Sequence, residues 1–327
     1  MSDPGLNNQG PDITFRHRFR QTPFQDRLKK SAMQDYVGVQ PVFQKNYNRM
    51  LLPAVIAVSI FAVLPLAGMV ALSLTDFHLI NGWDKEFGLK NFIRLWNDKR
   101  FMGSLNVMML LSVFGVIFQV LLGLLIAVGL EKIVPKWRFM RGIFVVPFVV
   151  PAVAVALIWL SLFTPTLSPI NAFFDLFGIT VPAILTTQYG AVAAIVIADT
   201  WASYPFVMLL ILAALQGISG DLDEAASIDG ATKMQIFFRI TLPLLKPALL
   251  MVALFRFIET LKHFPLIFIM TNGGPGRTTQ ATNYYAYIQT FQSSNVSYGA
   301  AIAVFLFLFA AVISFYVARA NMRISDA

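Results

Sequence analysis

The chain has 327 residues, 57% of them hydrophobic and 13% charged, with a net charge of +8 and no cysteine; its mean hydropathy is +0.67. Soluble domains carry about 45–50% apolar and about 25% charged residues, so this composition argues against a soluble enzyme. It also excludes a disordered chain, which needs low hydrophobicity and high charge. Without cysteine there is no disulfide, zinc–thiolate site or catalytic thiol, and three histidines point away from a dedicated metal site.

In chain order, residues 1–49 are polar, rich in Gln, Asn and Arg and without an apolar period, and they read as a flexible cytoplasmic tail. Its Arg16, Arg18, Arg20, Arg27, Lys29 and Lys30 suit either a topogenic role or contact with anionic headgroups. The tail does not resemble a signal peptide: about 50 residues precede the first apolar run and no A-x-A-like site follows it. A membrane span needs about 20 apolar residues, or about 17–25 with tilt. Six stretches meet that demand, at about 50–74, 104–130, 142–163, 190–215, 247–270 and 296–318, followed by a short C-terminal end, 321–327. Pro165 and Pro169 end the third near Phe163, and the fifth carries charges inside it. The expected fold is an all-α polytopic membrane protein of six helices. No repeat and no broken helix is legible, and the runs are too long and unalternating for a transmembrane barrel.

Lys and Arg set the orientation. The tail, the loop 131–141 (Lys132, Lys136, Arg138, Arg141), the loop 216–246 and the C-terminal end hold 17 of them, against 6 in the loops of the other side. Both termini are therefore expected in the cytoplasm, although the loop 75–100 holds five of those six, close to Asp76, Asp84, Glu86 and Asp98.

The cytoplasmic stretch 217–247 reads as an amphipathic helical hairpin. Asp221 is placed to cap a helix carrying Leu222, Ala225, Ala226 and Ile228, with Asp223 and Glu224 near its positive end. Gly230 ends that helix or admits close backbone approach. A second stretch carries Met234, Phe237, Phe238 and Ile240, and Pro243 and Pro247 mark the return to the membrane. So much apolar surface on a charged loop suits a docking partner, or a helix lying on the membrane interface.

The residues Glu224-Ala225-Ala226, then Gly230 after three more (Asp229 the last), then Ile240-Thr241-Leu242-Pro243 after nine more, resemble at every position the E-A-A-x3-G-x9-I-x-L-P signature of ABC importer permeases. The stretch Asp199-Thr200-Trp201-Ala202-Ser203-Tyr204-Pro205-Phe206 before it and Thr271-Asn272-Gly273-Gly274-Pro275 after it resemble the carbohydrate, maltose-type branch. The resemblance covers residues 50–320, read as the permease domain. It implies that the loop 216–246 inserts a coupling helix into an ATP-binding subunit, with Glu224, Ala225, Ala226, Asp229, Gly230, Ile240, Leu242 and Pro243 as coupling residues. It implies a second permease, two ATP-binding subunits and an extracytoplasmic solute-binding protein as partners, in a bacterial inner membrane, with no nucleic acid. No cofactor is expected on this chain, because it has no G-x-x-x-x-G-K-[ST] loop; ATP and Mg would sit on the partner ATPase, so the chain is expected to be a non-catalytic subunit. With only about 26 residues between the first two spans, it lacks the large external domain of the best-known maltose permease.

Arg256, Glu259, Lys262 and His263 fall within an otherwise apolar span. Each charge at a helix centre costs about 2.5–3.5 kcal/mol on insertion scales and so turns toward protein or a water-filled cavity. Helical spacing puts 256, 259, 260 and 263 on one face; Lys262 lies near its edge, in reach of Glu259. Asp199 sits at comparable depth in the preceding span, with Ser203 and Phe206 on its face. Two readings stay open: buried ion pairs that hold helices together, and a solute pathway. The resemblance implies a sugar pocket at Phe148 and Ala152, at Asp199, Ala202, Ser203 and Phe206, and at Arg256, Thr260 and His263. Arg256 with His263 would further suit an acidic sugar. Pro147, Pro151 and Pro205 are expected as hinges or as static bends. An ion-coupled secondary carrier using Asp199, Glu259 and His263 as a relay is the alternative function, but it has no use for the hairpin and would show repeats or broken helices. No nucleophile–base constellation for a membrane enzyme is legible.

Overall fold

The computed structural model describes residues 50–84, 87–133, 140–178 and 183–325; the expectations placed on the tail 1–49 and on residues 134–139 lie outside them. Among the described residues, five helices are long and apolar enough to cross a membrane, or six if one sharply bent pair is counted as a span. Contacts divide the chain into two units, Met1–Pro65 and Leu66–Ala327. The described part of the first unit, 50–65, belongs to helix α1 (Met50–Ser73). Residues 50–65 are all exposed, as an apolar run meant for lipid would be.

In the second unit the chain leaves α1 through a small antiparallel pair, β1 (Asp76–His78) and β2 (Gly82–Asp84), which corrects the all-α expectation. Three-residue strands are too short to leave a period-2 signal. The pair is fastened to the last helix's start, where Ser297 Oγ accepts the Phe77 N–H at 2.7 Å and the Ser294 carbonyl accepts the Leu79 N–H at 2.9 Å. Helix α2 (Lys90–Asn97) follows, and Asp98 alone separates it from the long α3 (Lys99–Ile133).

The third expected span is broken. Helices α4 (Met140–Val149) and α5 (Ala152–Phe163) meet at a bend of 98°. Pro151 causes it: a proline drives the residue before it out of the helical region, and Pro151 itself is extended, with ψ 142°. Neither half alone spans a hydrocarbon core of about 30 Å at about 1.5 Å per residue. Pro147 and Pro205, by contrast, lie inside continuous helices. After the short α6 (Pro169–Asp175), capped by Ser168, comes α7 (Gln188–Gln216), capped by Thr187.

Helix α8 (Gly220–Ile228) is the first arm of the loop. The second arm is not separate: one helix, α9 (Lys233–Thr260), runs from the loop through the span. Its π turn at Phe237–Thr241, closed by the Leu242 N–H on the Phe237 carbonyl, lies just before Pro243. The expected fifth span, 247–270, is thus shifted toward the loop, and it stops at Thr260. The Pro265 ring would clash with the Leu261 carbonyl in a continued helix, so the chain breaks there. The remaining helices are α10 (264–271), α11 (282–292) and α12 (Val296–Ser325).

Helices α3 and α7 form the most extensive contact. Gly123 makes it possible: a Cβ there would stand 2.6 Å from Val207 Cγ1 and 3.0 Å from the Met208 nitrogen. Small residues at such crossings let backbones approach where lipid offers no hydrophobic drive. One apolar core (Met108, Val155, Ala194, Ile267) joins α3, α5, α7 and α10; a second (Leu130, Ile211, Leu215, Leu245) joins α3, α7 and α9. A third (Leu95, Phe101, Tyr285, Tyr298) ties α2 and α3 to α11 and α12.

The two ends of α3 define the two ends of the bundle. Val128 and Glu131 line a groove with Ser219 and Lys233 of the loop. At the other end Asp98 caps α3, accepting the backbone N–H of Arg100 at 2.8 Å and of Phe101 at 3.3 Å. Its other oxygen accepts the hydroxyls of Tyr285 and Tyr298, each at 2.6 Å. Burial raises the Asp98 carboxyl, but these four donors outweigh it and hold the group below its ordinary 3.8. The Tyr285 hydroxyl is pushed up, by burial and by donating to Asp98. A depressed carboxyl stabilises the fold above its unfolded pKa and loses that contribution as pH falls through the folded one. Asp98→Asn is therefore expected to lower stability at pH 7 by about 1–3 kcal/mol and to flatten the acid limb below pH of about 4. Thermal unfolding in detergent across that pH range measures both effects.

Candidate functional site

The loop displays its signature outward. Ser219, not Asp221, caps α8: its hydroxyl accepts the Asp221 N–H at 3.4 Å, while Asp221 and Asp223 occupy the positive first turn. The turn after α8 is a Schellman motif, with the Ala231 N–H bonded to the Ala226 carbonyl at 3.0 Å and the Gly230 N–H to Ser227 at 3.1 Å. Gly230 holds it at φ +81°, a region that L side chains avoid. Thr232 and Gln235 then close a capping box at the start of α9. Glu224, Ala225, Asp229, Gly230 and Pro243 are exposed, and Ala226, Ile240 and Leu242 are half-buried. Around them Leu222, Ile228, Met234 and Phe238 are exposed too, so the hairpin offers apolar surface beside charge.

Nothing lies within 4 Å of a Cβ added at Gly230, so a side chain there meets backbone strain and no clash. Gly230→Ala is expected to weaken the turn by about 1 kcal/mol, seen as faster proteolysis between α8 and α9, while Gly220→Ala leaves cleavage unchanged.

The second site is a polar cluster deep between α3, α7 and α9. Asp199 is 5% exposed, Arg256 7% and Ser203 8%. His263 Nε2 lies 2.8 Å from Asp199 Oδ1, and the Ser203 hydroxyl donates to the same oxygen at 3.2 Å. Arg256 Nη2 stands 3.8 Å from that oxygen and donates to Ser203 Oγ at 2.7 Å. Its Nε donates to Gln119 Oε1 at 2.8 Å, and the Gln119 amide donates to Asp199 Oδ2. Gln119 thereby bridges both charges. The sequence reading missed it, although it is the one Gln in the run 101–130. Gly115, one turn earlier on α3, leaves the room: a Cβ there would be 3.2 Å from Asp199 Oδ2.

Of the expected pathway residues, Asp199, Ser203, Arg256 and His263 come together, but for His263 the route differs from the one expected. It lies beyond the end of α9 and reaches Asp199 through the break at 261–263, not through helical spacing; its buried Nδ1 has no hydrogen-bond partner among the described residues. Glu259 forms no ion pair with Arg256; it pairs at 3.0 Å with Lys262, whose side chain is exposed. Thr260 is buried with its hydroxyl turned back to the Phe257 carbonyl at 2.7 Å. Phe206, half-buried on α7, stacks on Phe148 of α4 at 5.6 Å and meets Phe255 of α9 in a tilted pair at 5.4 Å. Ala202 is half-buried beside it, and Ala152 is exposed at the start of α5.

Removing one partner of a buried pair strands the other charge, at about 3–5 kcal/mol. Asp199→Leu is expected to lower stability by that amount, and adding Arg256→Met to recover most of it. A double-mutant cycle in detergent unfolding reads the coupling.

The fold and site define a polytopic membrane protein with a charged and apolar hairpin exposed at one end of the bundle and an ion pair buried inside it. Residues 119–326 match the family described as binding-protein-dependent transport system inner membrane component, and the chain belongs to that family. It is an inner membrane component of a transport system, with several candidate spans. It is 36% identical to the trehalose/maltose transport system permease protein MalF of Thermococcus litoralis, over 81% of this chain and 89% of that one. It is 34% identical to the sulfoquinovosyl glycerol transport system permease protein SmoG of Agrobacterium fabrum, over 79% and 84%. Among solved structures it shares its fold with a chain of a bacterial ABC transporter involved in the import of the acidic polysaccharide alginate, at TM-score 0.74 and 22% identity, covering 91% of this chain and 99% of that one.

Proposed function

We propose that this chain forms the translocation pathway of an ATP-driven importer for a saccharide, together with a second permease. Two ATP-binding subunits carry the ATP and Mg and receive the loop 216–246; a solute-binding protein delivers the sugar from the far side, and both termini face the cytoplasm. The observation that carries the reading is the complete signature, Glu224 to Pro243, on an exposed hairpin whose second arm is continuous with the pathway helix α9. Motion imposed on the hairpin would pass along one rigid helix to Arg256. The solutes in the relatives' names, trehalose and maltose in one case and sulfoquinovosyl glycerol in the other, support a saccharide.

On this reading the rings of Phe148 and Phe206 meet the apolar side of a pyranose, and Asp199, Ser203 and His263 meet its hydroxyls once the cluster opens. Ala152, Ala202 and Thr260 shape the surroundings. An acidic sugar has weaker support, because the Arg256 charge is already met by Asp199, Gln119 and Ser203. An ion-coupled carrier has weaker support still, since its relay needs Glu259, which pairs with Lys262 instead.

The test is purification of the tagged chain from native membranes in mild detergent, with ATP hydrolysis assayed. A second permease and an ATPase are expected to accompany it, and Glu224→Lys and Gly230→Asp to lower recovered ATPase at least about tenfold, a coupling loss of about 1.4 kcal/mol or more. A homo-oligomer without ATPase from intact membranes would overturn the reading.

A further inference from the structure

Helix α2 has an apolar side that the protein does not cover. At about 3.6 residues per turn, its positions fall on three faces. Asn91 and Leu95 are buried against the protein. Lys90, Arg94 and Asn97 form a polar side, with the Arg94 guanidinium 4.1 Å over the Tyr298 ring. Leu89, Ile93 and Trp96, spaced i, i+4, i+7, form the third, and they are 62%, 63% and 71% exposed. Phe87 and Trp83 nearby in the chain are exposed as well.

The position of this face decides what can cover it. Asp98 alone joins α2 to the first residue of α3, a 35-residue membrane helix, so α2 sits at the end of a membrane-crossing element. It lies at the end of the bundle opposite the coupling loop. The Trp96 ring packs edge-on against Phe305 of α12 at 6.4 Å, and Phe305 in turn meets Phe101, in the first turn of α3, at 5.2 Å. The exposed face thus borders the first turn of α3 and the third turn of α12. Lys99 and Arg100, both exposed, follow directly in the chain. Tryptophan is the side chain most suited to a membrane–water boundary, with an apolar body and a polar tip.

We propose that α2 is an interfacial helix: Leu89, Ile93 and Trp96 insert among the acyl chains of the leaflet opposite the coupling loop, and Lys99 and Arg100 meet phospholipid headgroups. The occupant is the lipid surface, not the second permease or the solute-binding protein. By gripping the bilayer on one side and the α11–α12 cluster on the other, the helix fixes the depth at which α3 starts.

The chain has no cysteine, so single cysteines can be placed without further change. Spin labels at Leu89→Cys, Ile93→Cys, Trp96→Cys and Asn97→Cys would be read by power saturation, in the chain with its co-purifying subunits in phospholipid vesicles. At 89, 93 and 96, collisions with oxygen are expected to exceed those with a water-soluble nickel chelate severalfold, with the order reversed at 97. Equal nickel access at all four positions would place the face in water and overturn the proposal. Labels at 89, 93 and 96 shielded from both reagents would mean a protein partner covers it, and would overturn the proposal equally. Three independent positions guard against one that fails to assemble. The readout needs no substrate, so it stands apart from the saccharide assignment.

Discussion

A carboxylate and a guanidinium cannot both leave water for the middle of a helix bundle unless each finds partners there. Asp199 and Arg256 meet that condition through Gln119, Ser203 and His263. Much else in the fold follows from it. Helices α3 and α7 must run close enough for an amide to bridge both charges, which Gly115 and Gly123 allow. Helix α9 must stop soon after Arg256, so that His263 can turn back. An ion pair bought at such desolvation cost adds little net stability; its value lies in specifying how three helices meet.

The same demand for internal satisfaction shapes the bundle's ends. Asp98 receives four donors and so joins the start of α3 to α11 and α12 at one end. At the other, α8 ends in a Schellman turn and α9 begins in a capping box, which leaves few loose backbone groups on a hairpin that must present a defined surface. Between the ends, polar chemistry is concentrated in the α3–α7–α9 cluster, while most outward residues of the long helices are apolar.

Much of the candidate site could be read from residue types. Charges inside an apolar span announce themselves, and the signature on the loop is specified by spacing along the chain. Gln119 was harder to read, because a lone amide in an apolar run has no partner until a second helix is placed beside it. Glu259 misled for a related reason: helical spacing puts it on the face of Arg256, but a half-buried carboxylate three residues from a lysine pairs locally. His263 joined the cluster by a break in the helix, which periodicity assumes away.

The sequence by itself determined the membrane class, the approximate places of most apolar runs, the E-A-A signature on the loop and the residue types of the buried cluster. These depend on local composition and spacing, which solvent and lipid read directly. Only the tertiary structure decided that Pro151 breaks its span while Pro147 and Pro205 do not, that the loop's second arm is one helix with the fifth span, and which partners Asp98 and Arg256 hold. Each of those depends on what a neighbouring helix can supply to a backbone group or a charge, and that supply is set by packing between segments far apart in the chain.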